Sequence, residues 1–321
     1  MRNDSYLPGA LVLAHALRKQ GTGGRDLVCM VTPEITAPAR RALGMLYDLV
    51  IDVDPVFVPH KRRQKRQDRP YMFTRLNALR LGADGDLGLR YEKLALLDAD
   101  LLPLRDYVRL FEVDAPAGIL NERKSHFVEV DERGQYTVPE SVETSGTWKW
   151  HRLYEGICPH GQRIPREITD RVLDDPLNLG INGSLFVLEP DADEFWRICE
   201  DVKRPEVAAQ VGDLWDWPEM QYLTARWSGR WRNVDVRFAG LNGYPRLSVL
   251  YGTHFGGLKP WQTKNKSVSH YRKYPDYRRW YATYVEMVTQ GYPQLLKIKR
   301  LQRLLEVVRG WEKKDVGTSE R

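Results

Sequence analysis

Lys93-Leu94-Ala95-Leu96-Leu97-Asp98-Ala99-Asp100 is the stretch that decides how this 321-residue chain is read. An apolar run too short for a helix stops at two aspartates one residue apart. Such a run reads as a strand buried on both faces, as in parallel sheets covered by helices. Alternation along a strand puts Asp98 and Asp100 on one side at its carboxyl end, where ligands of open α/β sheets bind. A shared divalent cation offsets the repulsion between two carboxylates that converge there. A polar turn after a strand would also use Asp, so the pair takes its meaning from the rest of the chain.

Outward from it, the chain alternates helix and strand. Leu7 to Gln20 reads as a helix, with Pro8 near its start and Gly21 to Gly24 after it. Asp26 to Thr32 reads as a strand, Ala37 to Leu46 as a helix, and Leu49 to Val53 as a strand. Pro70 to Leu81 is a helix leading into the aspartate strand. Asn178 to Pro190 returns to strand character around Leu185-Phe186-Val187-Leu188. Asp193 to Val202 and Pro218 to Trp227 are helical, and Leu247 to Tyr251 is a last strand. This alternation implies an α/β fold with a mainly parallel central sheet flanked by helices. Between about 121 and 177 periodicity fades into Gly, Pro, Trp and charge, a pattern of functional loops.

Bulk composition sets limits. Apolar residues at 42% furnish a core, and ten Trp with sixteen Tyr suit packing or sugar-binding walls. No run of about 18 apolar residues spans a membrane, and Met1 leads directly into polar Arg2-Asn3-Asp4-Ser5. Cys29, Cys158 and Cys199 are scattered, which argues against a disulfide framework or a zinc site and fits a reducing, cytoplasmic setting. The net charge of +6 suits an anionic partner, with one dense run at Lys61-Arg62-Arg63-Gln64-Lys65-Arg66.

Residues 3–262 resemble the retaining glycosyltransferases of family 8, the group that contains glycogenin. The resemblance is carried by an ordered set: Asn3-Asp4-Ser5-Tyr6 with Gly9-Ala10, Thr74-Arg75-Leu76, Asp98-Ala99-Asp100, Asn182-Gly183-Ser184-Leu185-Phe186-Val187, and His254 with Gly257 and Lys259-Pro260-Trp261. It implies a GT-A type nucleotide-sugar-binding fold, a UDP-sugar donor, Mn²⁺, and hexose transfer with retained anomeric configuration. It implies donor contacts at Asn3, Tyr6, Arg75, Asp98, Ala99, Asp100, Gly257 and Lys259. Asp98, Asp100 and His254 become the metal ligands, and Asn182, Glu219 and Gln221 lie beside the reacting sugar. The chemistry of the residues agrees, because two hard carboxylates and an imidazole suit Mn²⁺ better than structural zinc.

Four departures qualify the match. The family opens with an apolar strand before the Asn3–Tyr6 segment, whereas this order opens with a helix; a natural start upstream of Met1 is the favoured expectation. Ser184 stands where Gly is usual, and the spacing from His254 to Lys259 is short. Glu219 aligns with the family's Asp, but Met220 falls where Gln is expected, so Gln221 substitutes only after a shift of one residue.

The expected organisation is a GT-A catalytic domain over 1–262 and a helical, basic C-terminal extension over 263–321. In the extension, Leu301, Leu304, Leu305 and Val308 form an apolar stripe at helical spacing. The favoured reading docks that stripe on the protein; the alternative lays residues 294–313 on an anionic membrane. Function is read as transfer of glucose or galactose from a UDP-sugar to a carbohydrate, protein or lipid acceptor, with a second copy of the chain as a further candidate partner. The competing classes are an inactive glycosyltransferase-like binding protein, a self-glucosylating glycogenin-type primer and, on the same three metal ligands, a basic nuclease. No recognised nucleic-acid module supports the last of these.

Overall fold

Asn3 begins the first helical turn. Its side chain accepts a hydrogen bond from Ser5 N at 2.9 Å and caps a 3-10 turn over Asp4–Tyr6. The turn leads into α1 (Leu7–Gln20), which starts with Pro8 and ends at Gly21, a residue at φ +87° that a side chain would strain. Then come β1 (Val28–Val31), α2 (Ala37–Leu43), β2 (Leu49–Asp52), a 3-10 segment over Arg69–Leu81, β3 (Leu94–Leu97), β4 (Leu101–Pro103) and β5 (Ala117–Leu120). They are followed by β6 (Ile181–Leu188), α3 (Ala192–Asp201), α4 (Pro218–Arg226), β7 (Arg232–Asn233), β8 (Gly252–His254), α5 (Pro275–Glu286) and α6 (Lys299–Ser319). The structure, a computed structural model, describes residues 1–60, 69–120, 129–130, 136–137, 159–176, 178–241 and 247–319. The basic run at 61–66 and most of the loop region expected at 121–177 lie outside the described residues.

The chain forms two compact units. One comprises Met1–Ile51, Ala99–Arg105 and Leu241–Arg321; the other comprises Asp52–Asp98 and Asp106–Gly240. The second unit carries a four-stranded sheet in the order β3-β6-β5-β7. Here the mainly parallel expectation needs correcting. β6 lies between β3 and β5 and pairs with both in antiparallel fashion, while β5 pairs with β7 in parallel. Thus β3, β5 and β7 run one way and the central strand runs the other. Local apolar patterning reports burial on both faces but not direction. The burial is real: Ile181, Leu185, Phe186, Val187 and Leu188 of β6 are all buried. The sheet rests on a core that includes Phe73, Leu76, Phe195, Leu223 and Trp231.

The segment 69–81 is 3-10 rather than the expected α-helix. Asn77 Nδ2 donates to Thr74 O at 2.8 Å and to Asp54 O at 3.0 Å, so a side chain takes a carbonyl within the segment.

The first unit packs α1 against α5 and β4. Met1 lies beside β1: its amino group bonds Met30 O, and its carbonyl accepts from Thr32 N at 3.1 Å. The last strand lies downstream of the predicted 247–251, at Gly252–His254. Antiparallel pairing with β4 fixes it there, with Gly252 opposite Pro103 and His254 opposite Leu101. Tyr251 O instead accepts from the Leu104 and Arg105 amides, at 2.7 and 3.0 Å.

Residues 275–308 share the core of this unit with α1 and α2. Trp280 stacks on Tyr284 with centroids 5.5 Å apart, and Trp261 leans on Trp280 at 5.6 Å. Leu301, Leu304, Leu305 and Val308 are all buried in that core, so the stripe docks on protein and the face a membrane would need is covered. Among the described residues no helix is long and apolar enough to cross a membrane. Leu301→Ala should cost about 2–5 kcal/mol of stability, read as a lowered urea midpoint; an unchanged midpoint would place Leu301 outside the core.

Candidate functional site

In the second unit the site is built around Arg75. The 3-10 segment presents its guanidinium to three groups. Nη2 donates to Asp98 Oδ1 at 2.6 Å, Nη1 donates to Gly183 O, and Nε lies 3.5 Å from Glu219 Oε1. Asp98 follows directly on β3, and its amide donates to Ser184 O at 2.9 Å, continuing the β3–β6 pairing past Leu97. Gly183 is a place of close approach: a β-carbon there would lie 3.0 Å from Arg75 Nη1 and 3.0 Å from Met220 Cγ. A larger residue would displace the guanidinium. Asn182 Oδ1 accepts from Ser184 N at 2.8 Å, which orients the Asn182 amide at the start of β6.

Glu219 and Gln221 sit in the first turns of α4, both fully buried. Among the described residues neither Glu219 oxygen has a hydrogen-bond partner. Burial drives its pKa up to about 7 against the opposing pull of Arg75, and the charge of Asp98 adds to the rise. Gln221 is fully engaged with backbone. Its Oε1 accepts from Trp217 N at 2.9 Å, and its Nε2 donates to Pro176 O and Asn178 O at 2.8 Å each. The sequence placed both beside a sugar. The contacts instead aim Glu219 at Arg75 and tie Gln221 to the loop before β6.

In the first unit the centre is Asp100. It is only 6% exposed, and its two oxygens meet different partners: Oδ1 lies 3.3 Å from His254 Nε2, and Oδ2 accepts from Lys259 Nζ. Burial alone would raise this carboxyl's pKa, but Lys259 and His254 outweigh it and hold the group far below the usual carboxylate range. The register of β8 against β4 sets His254 opposite Leu101, next to Asp100. With Nε2 turned to Asp100, the ring's Nδ1 is buried and has no hydrogen-bond partner among the described residues.

Gly256 lies close under this ring, where a β-carbon would come 3.1 Å from His254 Cε1, while the corresponding position at Gly257 is open. A β-carbon on Gly9 would strike Ala99 O and the Trp261 ring. Trp261 in turn meets Tyr6 edge-on at 5.8 Å. The family motifs at Tyr6, Gly9, Ala99 and Trp261 therefore pack as one block.

One sequence inference fails here. Asp98-Ala99-Asp100 is not the end of an extended strand, because β3 stops at Leu97 and residues 99–100 turn into β4. Strand alternation therefore does not govern the two carboxylates. Asp98 turns to Arg75, and Asp100 turns to Lys259 and His254. The Lys259–Asp100 pair also lay beyond sequence reading, since 159 positions separate the partners.

No family model matches the chain. Over 113 residues it is 40% identical to Glycogenin-1 of Caenorhabditis elegans, an alignment covering 34% of this chain. Over that stretch the chain is similar to glycogenin. It spans only 24% of that glycogenin's length. Over 277 residues it is 26% identical to the uncharacterized protein R707 of Acanthamoeba polyphaga mimivirus, covering 83% of this chain and 82% of the viral protein. Its fold matches that of the galactosyltransferase LgtC, solved with donor and acceptor sugar analogues. The TM-score is 0.50 at 14% identity, over 88% of this chain and 95% of LgtC. That likeness shows the GT-A type fold expected from the motifs.

Glu219 makes stability depend on pH with a definite sign. Its folded pKa of about 7 stands above the ordinary 4.5. Between those values the unfolded chain binds fewer protons, so stability is full below pH 4.5 and falls as pH rises to 7. The wild type should lose about 3 kcal/mol across that window relative to Glu219→Gln, measured by chemical denaturation at each pH. Parallel profiles for the two proteins would mean that Glu219 is ionised in the fold.

Proposed function

We propose that this chain is a metal-dependent, retaining hexosyltransferase that takes glucose or galactose from a UDP-sugar. The observation that carries the reading is Asp100, a buried carboxylate kept ionised with His254 Nε2 3.3 Å from its Oδ1. The donor set fits a hard divalent ion such as Mn²⁺, because Asp98, Asp100 and His254 each offer one ligand atom. Two peptide units join Asp98 to Asp100, so covalent geometry alone keeps their α-carbons within about 7 Å. When bound, the ion would neutralise charge on the diphosphate as it departs.

The chain's own groups divide the remaining work. Arg75 and Lys259 supply cations for phosphate oxygens. Asn182 offers its amide to the donor sugar, Glu219 acts through Arg75, and Gln221 holds Pro176 and Asn178 in place. Asn3, Tyr6, Ala99 and Gly257 line the nucleotide side. In the transfer, the bond from C1 to the phosphate oxygen breaks, and a bond from C1 to the acceptor oxygen forms on the same face. The acceptor's proton passes to the leaving diphosphate. That route requires no protein nucleophile and is compatible with Met220. The acceptor is a carbohydrate, protein or lipid hydroxyl, and the free thiols of Cys29 and Cys199 fit a cytoplasmic protein.

The test is UDP-sugar hydrolysis with Mn²⁺. Asp98→Asn should lower it by at least about 10–100-fold at an almost unchanged melting temperature, since Asp98 is partly exposed. Asp100→Asn should abolish activity and also destabilise by about 3–5 kcal/mol, because it strands the buried Lys259 ammonium. Wild-type activity in Asp98→Asn would contradict the reading. UDP-sugar binding without turnover in the wild type would favour a glycosyltransferase-like binding protein.

A further inference from the structure

We infer that Lys259 is a resident counter-ion for Asp100, one that yields the carboxylate to a divalent cation only when a diphosphate can receive the ammonium. Cation and nucleotide would then bind as a coupled pair. The inference rests on the metal-dependent reading above and adds to it a rule for the order of occupancy.

Lys259 is 5% exposed, and lysine is almost never so buried without a partner. Its ammonium contacts Asp100 Oδ2 and donates to Phe255 O at 2.6 Å, while Phe255 N donates to Asp100 O at 3.0 Å. The three residues thus close a ring: residue 255 holds the backbone of Asp100 with its amide and the charge of Lys259 with its carbonyl. The other carboxylate oxygen faces His254. Asp100 therefore already has its negative charge matched. A divalent ion arriving alone would meet a fixed positive charge at close range in a poorly screened setting.

A diphosphate changes the balance, because it offers anionic oxygens that can take the ammonium. A lysine suits the exchange: it is a single point charge on a flexible four-carbon stem, whereas a guanidinium fork would be held at a fixed angle. The backbone leaves space nearby, since a β-carbon on Gly257 would meet no atom within 4 Å.

Calorimetric titration of Mn²⁺ into the full chain, with and without UDP, tests this. In the wild type, UDP should tighten Mn²⁺ binding by about tenfold or more, and Mn²⁺ should tighten UDP binding by the same factor. Lys259→Gln retains an N–H donor but no charge. It should bind Mn²⁺ alone about tenfold tighter than the wild type and lose most of the coupling. Equal or weaker binding of Mn²⁺ alone by Lys259→Gln, with coupling intact in the wild type, would overturn the counter-ion role and leave the metal site standing. No Mn²⁺ binding by either protein, with or without UDP, would overturn the metal reading and this inference together.

A second measurement does not depend on the variant folding. The ¹⁵N resonance of the wild-type Lys259 ammonium should stay in place with Mg²⁺ alone and move when Mg²⁺ and UDP are added together. Movement with Mg²⁺ alone would contradict the coupling.

Discussion

Burying a carboxylate is unfavourable unless positive charge and hydrogen bonds meet it, and at Asp100 that requirement organises the first unit. Lys259 supplies charge to one oxygen and His254 faces the other, while the backbone of Phe255 ties both Asp100 and Lys259. None of these partners is near Asp100 in sequence. They are brought there by the antiparallel pairing of β4 with β8, which sets His254 beside Asp100 and begins the loop to Lys259 and Trp261. Trp261 then closes over Gly9 and leans on Trp280, so the C-terminal helices are packed against the same block that carries the candidate ligand. A change in α5 or α6 would reach the site through packing rather than through contact with substrate.

The second unit solves a related problem around a cation. Arg75 is shared among Asp98, the Gly183 carbonyl and Glu219, and burial raises the Glu219 pKa to about 7, so that near neutral pH about half of it is protonated. A fully charged Glu219 would draw on the same guanidinium that Asp98 uses. In its protonated form Glu219 leaves the guanidinium to Asp98 and the Gly183 carbonyl.

Much of this was legible in the sequence, and the reasons are particular. The helix at Leu7–Gln20 is marked by Pro8 at one end and Gly21 at the other, and both act locally. The burial of the second half of β6 is visible in the apolar run Leu185–Leu188. The apolar stripe of α6 announces a docked face, and the motif residues Tyr6, Gly9, Arg75, Asp98 and Trp261 fall in packed positions. What stayed hidden depends on distant partners. The reversed direction of β6 and the position of β8 are set by strand pairing, which local pattern does not encode. The turn at residues 99–100 exists because β4 leaves to pair with β8, so alternation misjudged the two aspartates. Lys259 looked like a phosphate ligand, and its pairing with Asp100 appears only in three dimensions. Gln221 looked like a catalytic amide, yet the carbonyls of Pro176 and Asn178 take both of its donors.

Asp98, Asp100 and His254 are proposed to hold one divalent ion beneath a nucleoside diphosphate. Diffraction at the manganese absorption edge, from crystals grown with UDP and Mn²⁺, addresses it directly. The account predicts a single strong anomalous peak bonded to both aspartates and to His254, with UDP phosphate oxygens on its open side. Manganese bound elsewhere, or UDP bound at these residues with no manganese between them, would contradict it.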